Sequence, residues 1–325
     1  MTTDSRLLRV RVAAKQAEAQ DICVLDLVSA DGRPLPPFGA GAHIDVHVQG
    51  MVRQYSLCNA PAETGRYQIA VLRCADSRGG SQAVHDTLSA GDELDISAPR
   101  NHFALDDAAS HSLLLAGGIG VTPLMAMAEA LSAAGASFAL HYCTRNPART
   151  AFRKRLAEAP YAGRVALHHD DGSTPPLDLP ARLAACPDGT HVYACGPSGF
   201  LEHVLATAQA AGWDMGRVHY ERFTAPAAAH PCGQGAETGF EVCIASSGER
   251  YYIAPDRSVT DALRDHGIDI PVSCEQGVCG TCLTGVLAGE PDHRDAYLTP
   301  DEQARNDQFT PCCSRSRSDC LVLDL

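Results

Sequence analysis

Four cysteines stand at a spacing that can hold two irons. Cys274, Cys279 and Cys282 follow a C-x4-C-x2-C pattern, and 29 residues separate Cys282 from Cys312. This is the plant-type ligand pattern of a [2Fe–2S] cluster. Gly277 and Gly280 let the loop curl so that backbone amides approach the inorganic sulfides. A structural zinc site usually carries paired C-x2-C knuckles or histidines, whereas the loop has a single C-x2-C step. By spacing alone Cys313 competes with Cys312 for the fourth position. Such a cluster moves electrons one at a time and transforms no substrate, so another part of the chain must load it.

Two stretches suit a phosphorylated planar cofactor. In Arg53-Gln54-Tyr55-Ser56-Leu57 a cation, an aromatic ring and a hydroxyl fall within four residues, offering charge for phosphate, a face for stacking and a hydroxyl for a ring heteroatom. Arg78-Gly79-Gly80-Ser81 leads into an expected short helix over Gln82–Leu88, with Ser81 as its cap, and glycine amides at a helix start form an anion site. Alone, the first stretch is equally a half-buried strand and the second a turn.

A third stretch suits a dinucleotide. The strand Ser112–Ala116 runs into Gly117-Gly118-Ile119-Gly120-Val121-Thr122-Pro123 and a helix over Leu124–Ala134, with Thr122 as expected cap and Pro123 in the first turn. The glycine turn lets a pyrophosphate approach the helix start, although the full G-x-G-x-x-G pattern is not met. A later strand ends in Cys195-Gly196-Pro197, where the carboxyl end of a parallel strand would meet a ligand. Cys195 is there either a surface for a nicotinamide ring or a buried structural thiol. His168-His169-Asp170-Asp171 is set aside as a metal site because neighbouring strand residues point to opposite faces.

The elements that must position these residues fall into three runs. Residues 7 to 104 read as short alternating strands, Leu8–Val12, Ile22–Val28, His43–Val48, Tyr67–Arg73 and Glu93–Ser97, which favours an antiparallel barrel or sandwich. From about residue 110, strands at Ser137–Tyr142, Arg164–His169, His191–Ala194 and Arg217–Tyr220 alternate with helices near Thr150–Glu158 and Ser198–Ala211, which argues for a parallel sheet. A Pro/Ala/Gly-rich linker follows. A hairpin of Phe240–Ala245 and Arg250–Ile253, a helix at Ser258–His266 and a closing strand at Cys320–Leu325 surround the cysteine loop. The division expected is 1–106, 107–224, linker 225–238 and 239–325.

The net charge of −13 makes nucleic acid an unsuitable partner. Residues 239–325 hold fifteen Asp/Glu against seven Arg and no Lys, a balance of −8, which either steers a basic electron-transfer partner or is a solvated acidic surface. No run of about 18 apolar residues occurs, so no membrane contact is expected. The N-terminus has no apolar export signal, which makes the cytoplasm the expected location.

In this order the motifs resemble the phthalate dioxygenase reductase family, the reductases of Rieske oxygenases such as vanillate O-demethylase, over residues 7 to 325. The resemblance implies a multidomain chain: an FMN-binding antiparallel β-barrel, an NAD-binding α/β domain and a C-terminal β-grasp [2Fe–2S] ferredoxin. It implies that Arg53, Tyr55 and Ser56 hold the flavin and that Gly79, Gly80 and Ser81 hold its phosphate. Gly117, Gly118, Gly120, Thr122, Cys195, Gly196 and Pro197 would line the nicotinamide route. Phe223, from the Glu221-x-Phe223 motif, would lie near the flavin. Ser56, Cys195 and Phe223 are the expected catalytic set, Cys312 matches the fourth cluster ligand, and Arg145 could accept a 2′-phosphate. NADH would reduce FMN, and single electrons would leave through the cluster to a terminal Rieske-type oxygenase that hydroxylates or O-demethylates aromatic substrates. A P450 reductase with the same modules, a flavin/cluster redox sensor and a structural zinc protein are the rival readings.

Overall fold

The computed structural model describes residues 7–74, 79–223 and 238–325. Arg78 and most of the expected linker lie outside these residues. The chain divides into two compact units, Met1–Arg222 and Phe223–Leu325.

The first unit opens with β1 (Leu8–Ala19), β2 (Ile22–Ser29), β3 (His43–Val48), β4 (Met51–Ser56) and β5 (Tyr67–Leu72), then α1 (Gly80–Thr87) and β6 (Glu93–Ile96). The strands are antiparallel in the order β4-β3-β6-β1-β2-β5. An antiparallel bridge from Leu57, just past β4, to Ile69 on β5 links the two ends of that order, which gives the expected barrel. Alternate residues Val10, Val12, Leu25, Leu27, Ile44, Val46, Ile69 and Ile96 fill its core, as the two-residue side-chain period of a strand requires. β1 continues to Ala19 rather than ending at Val12, because β2 pairs with its polar second half across two register shifts.

A parallel sheet follows in the same unit: β7 (His111–Gly117), α2 (Val121–Ala133), β8 (Phe138–Thr144), α3 (Arg153–Glu158), β9 (Val165–His169), α4 (Leu179–Ala184), β10 (Thr190–Cys195), α5 (Ser198–Ala210) and β11 (Val218–Glu221). Its order is β11-β10-β7-β8-β9, with every neighbour parallel. The chain moves outward from β7 through β8 to β9, then returns to place β10 on the other side of β7. The reversal makes the carboxyl ends of β7 and β10 the switch point at which open α/β sheets bind ligands. Barrel residues Ile22, Val24, Cys58 and Ala70 share one core with Leu114, Met125, Tyr142 and Tyr193 of the sheet layer.

Two expected caps are corrected. α2 begins at Val121, after a 3-10 turn over Gly118–Gly120, and Thr122 donates its hydroxyl to the Ile119 carbonyl at 3.0 Å instead of capping. α1 begins at Gly80, with left-handed Gly79 (φ 93°) at its N-cap, and Ser81 lies inside the helix, accepting from the Cys74 N–H at 3.2 Å. α3 starts at Arg153 rather than Thr150, since Phe152 before it is left-handed at φ 58°.

The second unit contains β12 (Phe240–Ile244), β13 (Arg250–Ile253), α6 (Val259–Arg264), β14 (Thr284–Ala288), β15 (Pro291–Asp292), α7 (Pro300–Arg305), β16 (Gln308–Phe309), β17 (Arg315–Ser316) and β18 (Cys320–Leu323). Its main sheet has the order β13-β12-β18-β14-β16, with β12 parallel to β18 and the other pairs antiparallel. α6, capped by Ser258, sends Val259, Ala262 and Leu263 into the core. A mixed sheet grasping one helix is the expected ferredoxin shape. Among the described residues no helix is long and apolar enough to cross a membrane.

Candidate active site

At the barrel, β4 places Arg53 beside the start of α1. A Cβ added to Gly80 would lie 2.5 Å from Arg53 Cγ, so the arginine stem occupies the room that the missing side chain leaves. Arg53 also donates to the Val52 carbonyl at 2.7 Å. Arg53, Gly79, Gly80 and Ser81 thus meet as a cation against a helix start, the chemistry of a phosphate site. Tyr55 packs against the barrel core, and burial raises its phenol, leaving a neutral ring. Ser56, the last residue of β4, is buried.

At the switch point the glycines divide their labour. A Cβ on Gly120 would lie 2.2 Å from the Cys195 carbonyl oxygen, and one on Gly196 would meet Phe200 at 2.8 Å and Gly117 Cα at 3.0 Å. These glycines therefore let the turn after β7 pack backbone to backbone against the turn after β10. Gly118 differs: its φ is +54°, and a Cβ there would meet nothing within 4 Å, leaving the turn open on that side as a dinucleotide requires. Pro197 is exposed, at the N-cap of α5. Cys195 is fully buried, and burial followed by the nearby Glu221 carboxylate holds its thiol well above the usual range. It is a neutral packing surface rather than a thiolate nucleophile. Arg145 is exposed just past β8, and Phe223 is 37% exposed just beyond β11.

The structure adds a residue to which the sequence assigned no role. Glu221 ends β11 in register with Cys195, and Ser56 Oγ donates to its Oε2 at 3.5 Å. Glu221 lies deep in the fold yet keeps some exposed surface, as a group on the floor of a cleft does. Desolvation raises its pKa to about 8, outweighing the opposing hydrogen bond from Ser56.

In the second unit the cluster loop forms two thiol pairs. Cys279 is hydrogen-bonded with Cys274, and Cys282 with Cys312. Two pairs of thiols are the donor set for two irons. Backbone N–H groups of Gln276 and Thr281 point at the sulfurs of Cys274 and Cys279, at 3.3 and 3.5 Å. Cys313 contacts Cys312, the Thr310 carbonyl at 3.7 Å and the hydroxyls of Thr310 and Ser314. Gly277 and Gly280 have φ near 69° and 68°, and an added Cβ would lie 2.4 Å from Cys313 Sγ at the first and 2.2 Å from the Tyr297 ring at the second.

Comparison with known proteins agrees with this anatomy. Residues 244–317 match the 2Fe-2S iron-sulfur cluster binding domain, and residues 97–218 match the N-terminal domain of dimethylamine monooxygenase subunit DmmA-like proteins. The chain is 50% identical to a vanillate O-demethylase oxidoreductase of Pseudomonas sp. strain HR199, over 98% of this chain and 100% of that protein. It is 41% identical to a phthalate dioxygenase reductase of Burkholderia cepacia, over 100% of both chains. A solved phthalate dioxygenase reductase, described as carrying electrons from pyridine nucleotides to [2Fe-2S], superposes with a TM-score of 0.76 at 41% identity, covering 98% of each chain. A self-sufficient type IV cytochrome P450 monooxygenase superposes with a TM-score of 0.85 at 39% identity, over 98% of this chain but 41% of that one. The chain belongs to the phthalate dioxygenase reductase family of iron–sulfur oxidoreductases.

Proposed function

We propose that this chain is the reductase component of a Rieske-type oxygenase, taking hydride from NADH onto FMN and passing single electrons through its [2Fe–2S] cluster. The observation that carries the reading is the contact of Ser56, on a flavin-barrel strand, with Glu221, at the switch point of the nucleotide sheet. In this reading the barrel spans 1–106, the nucleotide domain 107–224, the linker 225–238 and the ferredoxin 239–325.

When bound, the flavin accepts a two-electron hydride and the cluster releases electrons singly. Arg53 and the Gly79–Ser81 helix start would hold the flavin phosphate, and the Tyr55 ring would flank the flavin. Gly118 leaves room for the dinucleotide, while Thr122, Gly196 and Pro197 border its path. Glu221 is predominantly protonated near neutral pH, because its pKa lies at about 8. Together with the Ser56 hydroxyl it holds a proton at the floor of the cleft and keeps a carboxylate charge away from the site. Cys195 keeps an uncharged sulfur packed beneath the glycine turn. Arg145 would border the adenosine side. Cys274, Cys279, Cys282 and Cys312 hold the cluster, where N–H groups directed at sulfur favour the reduced, more negative state.

The acidic ferredoxin segment, at −8, supports docking to a basic acceptor. The superposition on part of a self-sufficient cytochrome P450 monooxygenase favours one second reading, the same electron path serving a P450 haem. Both are tested by mixing the holoprotein and NADH with purified Rieske oxygenase components or with a P450. NADH-driven turnover of the Rieske component is expected, and turnover of the P450 alone would replace the first reading with the second.

A further inference from the structure

At the opposite end of the strands that carry Cys195 and Glu221, a second set of side chains converges. His191 stands four residues before Cys195 on β10, and His219 two residues before Glu221 on β11. Asp106 lies in the segment joining β6 to β7. One ligand atom from each of the three lies within 4.8 Å of the others. His191 Nδ1 is 3.0 Å from His219 Nε2 and 3.6 Å from Asp106 Oδ2. Two nitrogens bound tetrahedrally to one zinc at about 2.0–2.1 Å would stand roughly 3.3 Å apart, so the spacing needs little adjustment.

The three groups are also held in place. The His219 ring lies between the rings of His191 and Tyr193, with centroids 5.2 and 4.8 Å away and planes within 18° and 16°. The Tyr193 hydroxyl accepts the Asp106 N–H at 2.8 Å, fixing the backbone of the carboxylate. Asp106 Oδ1 accepts from the Ala108 N–H at 2.8 Å, which leaves Oδ2 to face the imidazoles. His191 is buried while Asp106 is exposed, so an ion could enter from the Asp106 side and keep water in its remaining positions. The His141–His168 pair offers a contrast. Its nitrogens are also 3.0 Å apart and its rings stack, but the second nitrogen of His168 is taken by the Pro175 carbonyl, and among the described residues no carboxylate joins the pair as a third ligand.

We propose that Asp106, His191 and His219 form a binding site for a borderline divalent cation of the zinc class, separate from the iron–sulfur ligands and from the nicotinamide cleft. Two imidazoles and one carboxylate suit Zn2+ or Cu2+ rather than the all-oxygen shells of Mg2+ or Ca2+. A bound ion would fasten the segment between barrel and parallel sheet to the two strands whose far ends carry Cys195 and Glu221. The inference does not depend on the roles given to those two residues.

The test is isothermal titration of Zn2+ into oxidised holoprotein, with the wild type compared with Asp106→Asn and His219→Ala. The exposed Asp106→Asn change keeps an oxygen for the Ala108 N–H, so it serves if His219→Ala fails to fold. The wild type is expected to bind one more zinc than His219→Ala and to bind it at least about tenfold more tightly than Asp106→Asn. One equivalent of Cu2+ should give a paramagnetic resonance signal split by two nitrogens, readable because oxidised flavin and oxidised cluster are silent, and the His219→Ala variant should lose that splitting. Absence of zinc binding, or equal zinc uptake by wild type and both variants as from binding at thiols alone, would overturn the proposal.

Discussion

Ser56 Oγ lies 3.5 Å from Glu221 Oε2, so the last residue of a barrel strand meets the last residue of the parallel sheet's edge strand, 165 positions later in the chain. The barrel and the sheet share a core, and in the proposed function this contact lies where a flavin and a nicotinamide would meet.

Glu221 gives the contact a pH signature. Its folded pKa of about 8, against an ordinary value of 4.5, means that the folded chain keeps a proton which the unfolded chain releases. Stability therefore falls as pH rises from about 4.5 to about 8 and is level above that range. Glu221→Gln removes the titration. Its thermal midpoint should gain on the wild type between about pH 5 and pH 8, by the equivalent of up to a few kcal/mol. A difference independent of pH would contradict a raised carboxyl.

The switch-point glycines should separate into two kinds. Gly120→Ala drives a methyl into the Cys195 backbone, so we expect a stability loss of roughly 1–3 kcal/mol with slow NADH oxidation. Gly118→Ala meets open space at φ +54°, so its strain is smaller, about 1 kcal/mol. Its main effect should be a raised KM for NADH, because the methyl enters the opening. Thermal melts and steady-state kinetics on both variants distinguish the two effects.

Arg53→Ala removes the cation lying over Gly80 while leaving the helix start in place. Loss of a charge-assisted phosphate contact of about 1.5–3 kcal/mol corresponds to a flavin dissociation constant raised by one to two orders of magnitude. Fluorescence of the released flavin on dilution measures it.

The two adjacent cysteines should not be equivalent. Cys312 contacts both Cys282 and Cys313, whereas Cys313, besides Cys312, contacts Thr310 and Ser314. Iron content and the visible cluster spectrum should survive Cys313→Ala and be lost in Cys312→Ala; the reverse order would reassign the fourth ligand.

Much of this was legible in the sequence because the signals are local. Strand alternation from Leu8, the glycine turn after Leu115 and the cysteine spacing each express their physics within a few residues. α7 is equally legible, since Thr299 and Glu302 form a complete capping box. Hydroxyl roles were read less well, since Thr122 and Ser81 had nearer backbone partners than the helix ends they were expected to cap. Glu221 belonged to a recognisable motif, but its raised pKa comes from burial in the tertiary fold. The set of Asp106, His191 and His219 was not legible at all. Its members are spread over more than a hundred positions, and only the parallel pairing of β10 with β11, which sets His219 opposite Tyr193, brings it within reach of His191 two residues earlier.

The most direct measurement is an anaerobic titration of the oxidised holoprotein with NADH, followed by visible absorption and by electron paramagnetic resonance. We expect the flavin band to bleach and the signal of a reduced [2Fe–2S] cluster to follow within the same molecule. A bleached flavin beside a cluster that is present but stays oxidised would contradict the electron path from NADH to the cluster.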